Sequence, residues 1–210
     1  MMLFTGMAFQ SFSTVVVSSV GNDGSFQVEN AFIMKKNDFE YKKSVVREMF
    51  KRFNIKIAFA DIGYGNDIVP ELQKEFQTRL WACNNSGTLI NPIKVVEDEL
   101  VVRVNKDLVL DDLFNAMRRG KILLPLGDAR SYEMMAWLVE HICSMEKVTK
   151  TIAGNVVNKY VKGNTPNDGL LSLLYSYLAW KFFETRGFKT KPHQKNVSNN
   201  APVLAYLPRL

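Results

Sequence analysis

The sequence predicts one α/β domain built on a mixed β-sheet, and two observations carry this prediction. The chain opens with three β-rich segments, at residues 3–9, 12–20 and 25–34, and Asn22-Asp23-Gly24 between the last two is a strong turn signal. After residue 39, helical periodicity alternates with short apolar runs. Antiparallel strands followed by alternating helices and strands are typical of a mixed sheet flanked by helices, and nothing indicates a second domain.

The later elements follow from the same patterns. Helices are predicted at residues 39–53, 66–76, 108–119, 131–145 and about 166–185, with Gly120 as a C-cap signal. Short strands are predicted at residues 55–60, 79–83, 100–104 and 122–126, a loop at 84–98 and a β-hairpin at 149–162. Lys42 and Lys43 of the first helix, and Asp111 and Asp112 of the third, are expected on solvated faces.

Composition limits the class of protein without identifying it. A chain of 210 residues, 47% hydrophobic and 23% charged, is long enough to bury one core. No apolar run approaches the roughly 20 residues that cross a bilayer, and the first residues do not resemble a secretory signal. Cys83 and Cys143, the two cysteines, have no zinc-site spacing and are expected to be buried thiols in a reducing compartment. A net charge of +6 permits a polyanionic partner but does not prove one.

Two aspartates stand where chemistry is expected. Asp61 ends a predicted buried strand, and ligands gather at such strand ends in α/β sheets. A carboxylate there suits Mg²⁺, although a turn that caps the next helix is the plain alternative. Asp168 opens the most hydrophobic helix, where an acid also interacts well with the helix dipole and the free amides. Neither aspartate, taken alone, distinguishes a metal ligand from a residue that only forms a turn or caps a helix.

The order of several short segments resembles a known family. These segments are Gly6-Met7-Ala8-Phe9 in the first strand, Ala60 to Asn66 after a strand, Asn85-Ser86, Gly120 to Pro125, and Asn167-Asp168-Gly169 opening the last helix. In this order, over residues 1–186, they resemble the nuclease domain of the large terminase subunit of tailed bacteriophages. The resemblance implies a ribonuclease H-like fold over residues 1–188, with a mixed sheet flanked by helices and an additional β-hairpin. Residues 189–210 are expected to be a flexible tail. No Gly-x-x-x-x-Gly-Lys-Ser/Thr loop is present, so the ATPase half of the motor is expected to be absent from this chain.

The resemblance also implies three acidic residues that converge on two divalent metal ions, Mg²⁺ or Mn²⁺. Asp61 matches the second acid and Asp168 the third. The first belongs in a Gly-apolar-Asp-aromatic pattern, where this chain carries Ala8. Two metals about 3.5–4 Å apart activate the attacking water and stabilise the leaving oxygen in phosphodiester cleavage. The lost carboxylate therefore predicts weakened metal binding and a weakened or inactive endonuclease, whether the substitution is introduced or natural.

Other residues are predicted to support the acids or to contact DNA. Tyr64, Asn66 and Asn167 are predicted to lie next to the metal ligands, with Asn85 and Ser86 close by; a helix cap is the alternative for Asn66 and a turn for Asn85-Ser86. Cations that could lie on the DNA backbone are Lys150, Lys159 and Lys162 of the hairpin and Arg118, Arg119 and Lys121. The second group also fits a helix C-terminus that favours cations.

The implied function is cutting of concatemeric double-stranded DNA at the start and end of genome packaging. The implied partners are that DNA, the terminase ATPase domain, the small terminase subunit and the portal, with no membrane and a monomeric isolated domain. The implied location is the host cytoplasm, at the procapsid portal during packaging, and not the mature virion. Two alternatives stay open: a Holliday-junction-resolvase-like nuclease, which would need a dimer, and a non-catalytic DNA-binding module in which Ala8 is a natural loss.

Overall fold

A computed structural model of the protein describes residues 1–9, 12–63, 65, 67–87, 89–152 and 155–185, with the backbone alone at residues 152 and 155–157. The helices are α1 (Phe39–Arg52), α2 (Ile68–Phe76), α3 (Lys106–Arg118), α4 (Ala129–Ile142) and α5 (Asp168–Thr185). The first strands are β1 (Leu3–Phe9), β2 (Ser13–Val20), β3 (Phe26–Ile33), β4 (Ile55–Asp61) and β5 (Leu80–Asn85). The later strands are β6 (Ile93–Val96), β7 (Val101–Val104), β8 (Ile122–Leu123), β9 (Met145–Ile152) and β10 (Asn155–Lys162).

Eight strands form one mixed sheet in the order β6-β7-β5-β4-β1-β2-β3-β8, and β9 and β10 form a separate hairpin. Strands β1, β4, β5 and β7 run parallel to one another, while β2 is antiparallel to both β1 and β3. The predicted α/β class, with a mixed sheet and an additional hairpin, is confirmed. The carboxyl ends of β1, β4 and β5 therefore lie along one end of the sheet, which we call the carboxyl edge.

Helix α5 covers one face of the sheet, and α1 and α2 pack on the other. Alternate strand residues point to opposite faces, so Phe59 packs edge-on against Phe182 of α5, with ring centroids 5.3 Å apart. On the other face, Met7 and Ala60 belong to a core that includes Leu72 of α2. Because α5 is buried over almost its whole length, its near-continuous hydrophobicity follows from this position.

Small and hydroxyl side chains bring α5 unusually close to the sheet. A Cβ atom on Gly6 would overlap the backbone of Ser172 and Ser176. The Ser172 and Ser176 hydroxyls lie 2.7 and 2.6 Å from those of Thr14 and Ser18 on β2. Ser176 also donates to the carbonyl of Phe4, near the start of β1, at 3.3 Å. Helix α5 thus runs antiparallel to β1, and its first turn lies at the carboxyl edge.

Several predicted boundaries are wrong. The predicted loop at 84–98 contains β6, which pairs antiparallel with β7, and β5 extends to Asn85. Helix α4 ends at Ile142 because Met145 already pairs with Lys162 in the hairpin. Strand β8 has only two residues, since Pro125 has no N–H for a ladder.

Two predicted environments are also wrong. Cys143 is exposed, whereas Cys83 is buried as expected. Lys42 and Lys43 are buried, and Lys43 forms ion pairs with Glu40 and Glu71 at 2.6 and 2.7 Å.

Among the described ranges, no helix is both long and apolar enough to cross a membrane.

Candidate functional site

Asp61 is the last residue of β4 and lies on the carboxyl edge, facing α5. It follows Phe59 on the same face, and its side chain is 2% exposed. Burial, and then the Asp61 charge, raises the pKa of Tyr175 on α5 and of Cys83 on β5. The carboxylate accepts the N–H of Gly63 at 3.0 Å, which closes a local turn. The turn foreseen as the alternative is thus present, but Asp61 does not cap α2, whose N-cap is Asp67.

Ala8 lies beside Asp61 on the neighbouring strand. Strand β1 pairs with β4 in parallel with Met7 opposite Ala60, so the next residues, Ala8 and Asp61, are neighbours across the ladder. Ala8 is fully buried in the core that includes α5. A side chain at position 8 therefore points to the same face of the sheet as Asp61.

Asp168 is the first residue of α5, and its carboxylate is buried. Neither carboxylate oxygen has a partner within the described part of the chain, and the residue is 0% exposed. Burial raises its pKa; the nearby N–H groups of Asp168 itself and Phe12 and the charges of His141 and Lys162 oppose that rise only in part. An unsatisfied buried carboxylate destabilises a fold, so such groups are typical of sites that bind a cation or do chemistry.

Packing of α5 brings Asp168 to the edge that holds Ala8 and Asp61. Gly6 lies under Ser172 and Ser176, and Ala8 is two residues further along the same face of β1, about 6.6 Å. Moving one turn back along α5 from Ser172 to Asp168 covers about 6 Å in the same direction. The structure therefore places Ala8, Asp61 and Asp168 on one face at one end of the sheet.

Two residues beside this edge were not predicted from the sequence. Tyr175 is buried, and its hydroxyl accepts the Asn85 amide at 3.0 Å, so Asn85 lies on the same face of β5 as Cys83. His141 of α4 is buried, and its Nδ1 accepts the N–H of Gly169 at 2.9 Å, which places its own proton on Nε2. Burial lowers the pKa of His141, while the Asp168 charge opposes that shift. In the sequence both residues look like ordinary core positions of apolar helices.

The other predicted neighbours of the acids are placed differently. Tyr64 and Asn66 lie outside the described residues. The Asn167 amide donates to Met145 Sδ at 3.4 Å and so links the start of α5 to the base of the hairpin. The backbone N–H of Ser86 donates to the Val104 carbonyl at 2.7 Å, extending the ladder between β5 and β7.

Helix α3 anchors the hairpin through acidic side chains. Asp111 accepts Lys147 Nζ at 2.7 Å and the Tyr160 hydroxyl at 2.6 Å, and Asp107 accepts the Tyr160 N–H at 3.0 Å. Asp112 accepts the Tyr177 hydroxyl of α5 at 2.7 Å. The expectation that Asp111 and Asp112 belong to a merely solvated face is therefore wrong.

The hairpin lysines lie on two different faces. Lys162 is on the face of Tyr160, at the base, and its charge acts on Asp168 and His141. Lys159 pairs with Val148 and shares the opposite face with Lys150, nearer the tip. All three are exposed. Of the three, Lys162 alone acts on Asp168, in the part of the carboxyl edge that holds Asp61 and Asp168 and that we call the acidic edge.

The second basic group lies at the other end of the sheet. Arg118 ends α3, Arg119 is its C-cap, and Gly120 takes the left-handed φ of 66°, as its C-cap signal predicted. The Lys121 carbonyl accepts the N–H of Phe26 at the start of β3, far from the carboxyl edge. The structure does not bring Arg118, Arg119 and Lys121 to the acidic site, so a DNA contact there stays a prediction.

The strand order and the flanking helices give a ribonuclease H-like α/β fold, and two solved structures share this fold. The crystal structure of the large terminase nuclease from thermophilic phage G20c has a TM-score of 0.54 and 17% identity, covering 84% of this chain and 81% of that one. The HK97 bacteriophage large terminase has a TM-score of 0.51 and 11% identity, covering 83% of this chain and 38% of that one. No family model and no curated protein sequence matches the chain. The chain therefore has the fold of the phage large terminase nuclease.

The donor set at the carboxyl edge fits a hard divalent cation, with one ligand fewer than the resemblance implies. The unpartnered oxygens of Asp168 and the carboxylate of Asp61 are the oxygen donors that Mg²⁺ and Mn²⁺ prefer. Throughout the described ranges, no group of three or more His, Cys, Asp or Glu side chains is arranged to hold a metal ion. Ala8 lies on the same face and edge of the sheet as the two carboxylates.

Proposed function

We propose that this protein is the nuclease domain of a DNA-packaging terminase, a metal-dependent DNA endonuclease weakened at Ala8. The observation that carries the proposal is the buried, unpartnered carboxylate of Asp168 on the same edge and face as Asp61 and Ala8. The terminase nuclease fold supports a nuclease function for this edge. On an unrelated fold, the same arrangement would indicate only a cation site.

The residues have separate parts in this proposal. Asp61 and Asp168 would hold Mg²⁺ or Mn²⁺, which when bound supply an activated water and stabilise the leaving oxygen. Lys162, beside Asp168, would take a backbone phosphate, and Lys150 and Lys159 would hold DNA further along the hairpin. Ala8 provides no oxygen, so at least one cation is expected to bind weakly.

The biological setting is part of the same proposal. The substrate is double-stranded DNA, cut as a concatemer at the start and end of packaging, and the partners are the ATPase domain, the small terminase subunit and the portal. The site of action is the portal in the host cytoplasm. A non-catalytic DNA-binding module is the second candidate, because Ala8 removes a ligand from the acidic edge.

Restoring the third carboxylate tests the proposed activity. Ala8→Asp is expected to nick plasmid DNA in Mg²⁺ or Mn²⁺, with activity abolished by EDTA and by adding Asp168→Asn. Ala8→Asn is the matched control, since it has nearly the same size without the charge. A folded Ala8→Asp protein without metal-dependent nicking would leave the non-catalytic module as the better account.

A second measurement does not depend on how well the buried Asp is tolerated. Mn²⁺ binding to the unaltered chain, followed by electron paramagnetic resonance, is expected to be weak and to disappear in Asp61→Asn. Binding that Asp61→Asn leaves unchanged would show that the cation site lies elsewhere.

A further inference from the structure

Three aromatic rings form a cluster beside the acidic edge: Phe12, Trp137 and His141, called here the aromatic cluster. The Trp137 ring meets His141 edge-on, with centroids 5.3 Å apart at 86°. The Phe12 ring lies 6.4 Å from His141 at 48°. Trp137 and His141 are four residues apart on α4 and so share one face of that helix. The cluster thus joins Phe12, the residue before β2, to α4.

The aromatic cluster borders Asp168 directly. His141 accepts the N–H of Gly169, the residue after Asp168, at 2.9 Å. A Cβ atom on Gly169 would lie 2.7 Å from a Trp137 ring carbon, so the start of α5 rests against that ring. The N–H of Phe12 also lies near the Asp168 carboxylate. The rings therefore line the approach to the unpartnered carboxylate.

The ring of Phe12, which packs on His141, is partly exposed to solvent. It is 45% exposed, whereas His141 beneath it is 6% exposed. A single exposed aromatic ring is ordinary on a protein surface. This one, however, packs on His141 beside an unpartnered buried carboxylate, and the charge of Lys162 acts on both His141 and Asp168. An aromatic face beside a cation is the combination that binds unpaired nucleotides, with the ring stacking on a base and the cation contacting a phosphate.

We propose that Phe12, supported by His141 and Trp137, stacks on an unpaired base of the DNA strand that enters the acidic edge, while Lys162 contacts a neighbouring phosphate. This inference rests on the proposed nuclease function and specifies its substrate further: a strand whose bases are locally unpaired at the site. Bases of an intact duplex are stacked inside it, and the free energy needed to expose one is smallest where the DNA is already single-stranded.

The test is DNA binding by the unaltered chain in EDTA, so that no cleavage is needed. Phe12→Ala is expected to weaken binding of a labelled oligothymidine about tenfold and to leave binding of a duplex of equal length unchanged. Phe12→Trp should restore the affinity, because it restores the ring. Tyr132→Ala is the matched control: Tyr132 is 55% exposed on the same helix, nine residues and thus half a rotation from His141.

Tryptophan fluorescence gives an independent readout of stacking at the aromatic cluster. Trp81 and Trp180 are buried in the core, at 4% and 7% exposure, whereas Trp137 belongs to the cluster. The oligothymidine is expected to quench the emission, and Trp137→Phe should remove that quenching.

The outcomes separate this inference from the proposed function. If the chain binds both forms of DNA and Phe12→Ala changes neither, or both equally, the stacking proposal is overturned and the nuclease proposal is not. If the chain binds neither form, both proposals fail.

Discussion

The Gly6 backbone lies so close to the carbonyl of Ser172 that no side-chain carbon fits between them. This approach fixes the height of α5 above β1 and, one turn earlier, the position of Asp168 above Ala8. The geometry of the acidic edge therefore depends on a glycine that itself takes no part in the site.

Gly6→Ala is expected to destabilise the protein by about 3 kcal/mol or more, because backbone atoms on both strand and helix would have to move. For a domain of this size that lowers the melting temperature by about 6–12 °C. Gly87→Ala is the control, since a Cβ there meets nothing within 4 Å. Equal effects of the two substitutions in thermal melts would show that α5 does not press on β1 as described.

Ala8→Asp is expected to destabilise the protein without metal and to stabilise it when a divalent metal ion is present. Without metal it adds a buried carboxylate beside Asp61 and near Asp168, so repulsion should lower the melting temperature. A cation that binds only the folded state reverses the effect by mass action. Melting curves with and without Mn²⁺ measure this, with Ala8→Asn as reference; a metal-induced shift no larger than that of the unaltered chain would contradict the predicted position of the first acid.

Asp168→Asn is expected to raise the free energy of unfolding at neutral pH, in EDTA, by about 1–2 kcal/mol, because it removes an unpartnered buried charge. Burial raises the pKa of Asp168 in the folded protein. Between the unfolded and folded pKa values the folded state keeps a proton that the unfolded state has lost, so the unaltered chain loses stability as pH rises through that window. The advantage of Asp168→Asn should thus shrink at acidic pH. A variant less stable than the parent at neutral pH would mean that the carboxylate has a stabilising partner.

Replacing Lys159 and Lys162 together by Ala is expected to weaken DNA binding and to reduce the salt slope by about 2, roughly 0.9 for each lost phosphate contact. The two lysines lie on opposite faces of the hairpin, so the single variants should separate a contact near Asp168 from one nearer the tip. Lys51→Ala with Lys74→Ala, on the helices behind the sheet, makes the same change in net charge. Equal losses in both double variants would indicate a general charge effect.

Tyr160→Phe is expected to loosen the hairpin without unfolding the sheet. It removes one hydrogen bond to the Asp111 carboxylate, worth about 1.5–3 kcal/mol, and leaves the Lys147 ion pair in place. Amide hydrogen exchange should become faster in β9 and β10 and remain unchanged in β1 and β4. Tyr132→Phe on α4 is the control; exchange that accelerates across the whole sheet would contradict a local anchor.

The sequence predicts those secondary-structure elements that are defined by their own residue pattern. The opening strands are β-rich runs around a turn signal, α1 has helical periodicity and α5 is a long apolar run, and their predicted spans agree with the structure to within a few residues. Strand β6 was missed because it is short and only partly buried, and it is defined by pairing with β7 rather than by its own composition. Lys43 was placed in solvent because its partner Glu71 lies on another helix.

The same distinction applies to the site. Asp61 and Asp168 could be singled out because one ends a strand and the other begins a helix, whereas Ala8 was singled out only through the resemblance to the terminase family. Tyr175 and His141 could not, since their polar atoms matter only through Asn85 and Gly169, which are distant in sequence. Their side chains look like core residues until the packing of α4 and α5 is known.

The sheet ends in β6 on one side and in β8 on the other, which are four and two residues long. A long, uncovered edge strand would expose a row of unpaired N–H and C=O groups onto which another chain can add a strand. Here Pro92 precedes β6 and Lys94 is exposed within it, while β8 offers the groups of two residues alone. Within the described ranges, neither edge strand is a good template for extending the sheet, so copies of the chain can reach a high local concentration without their sheets joining.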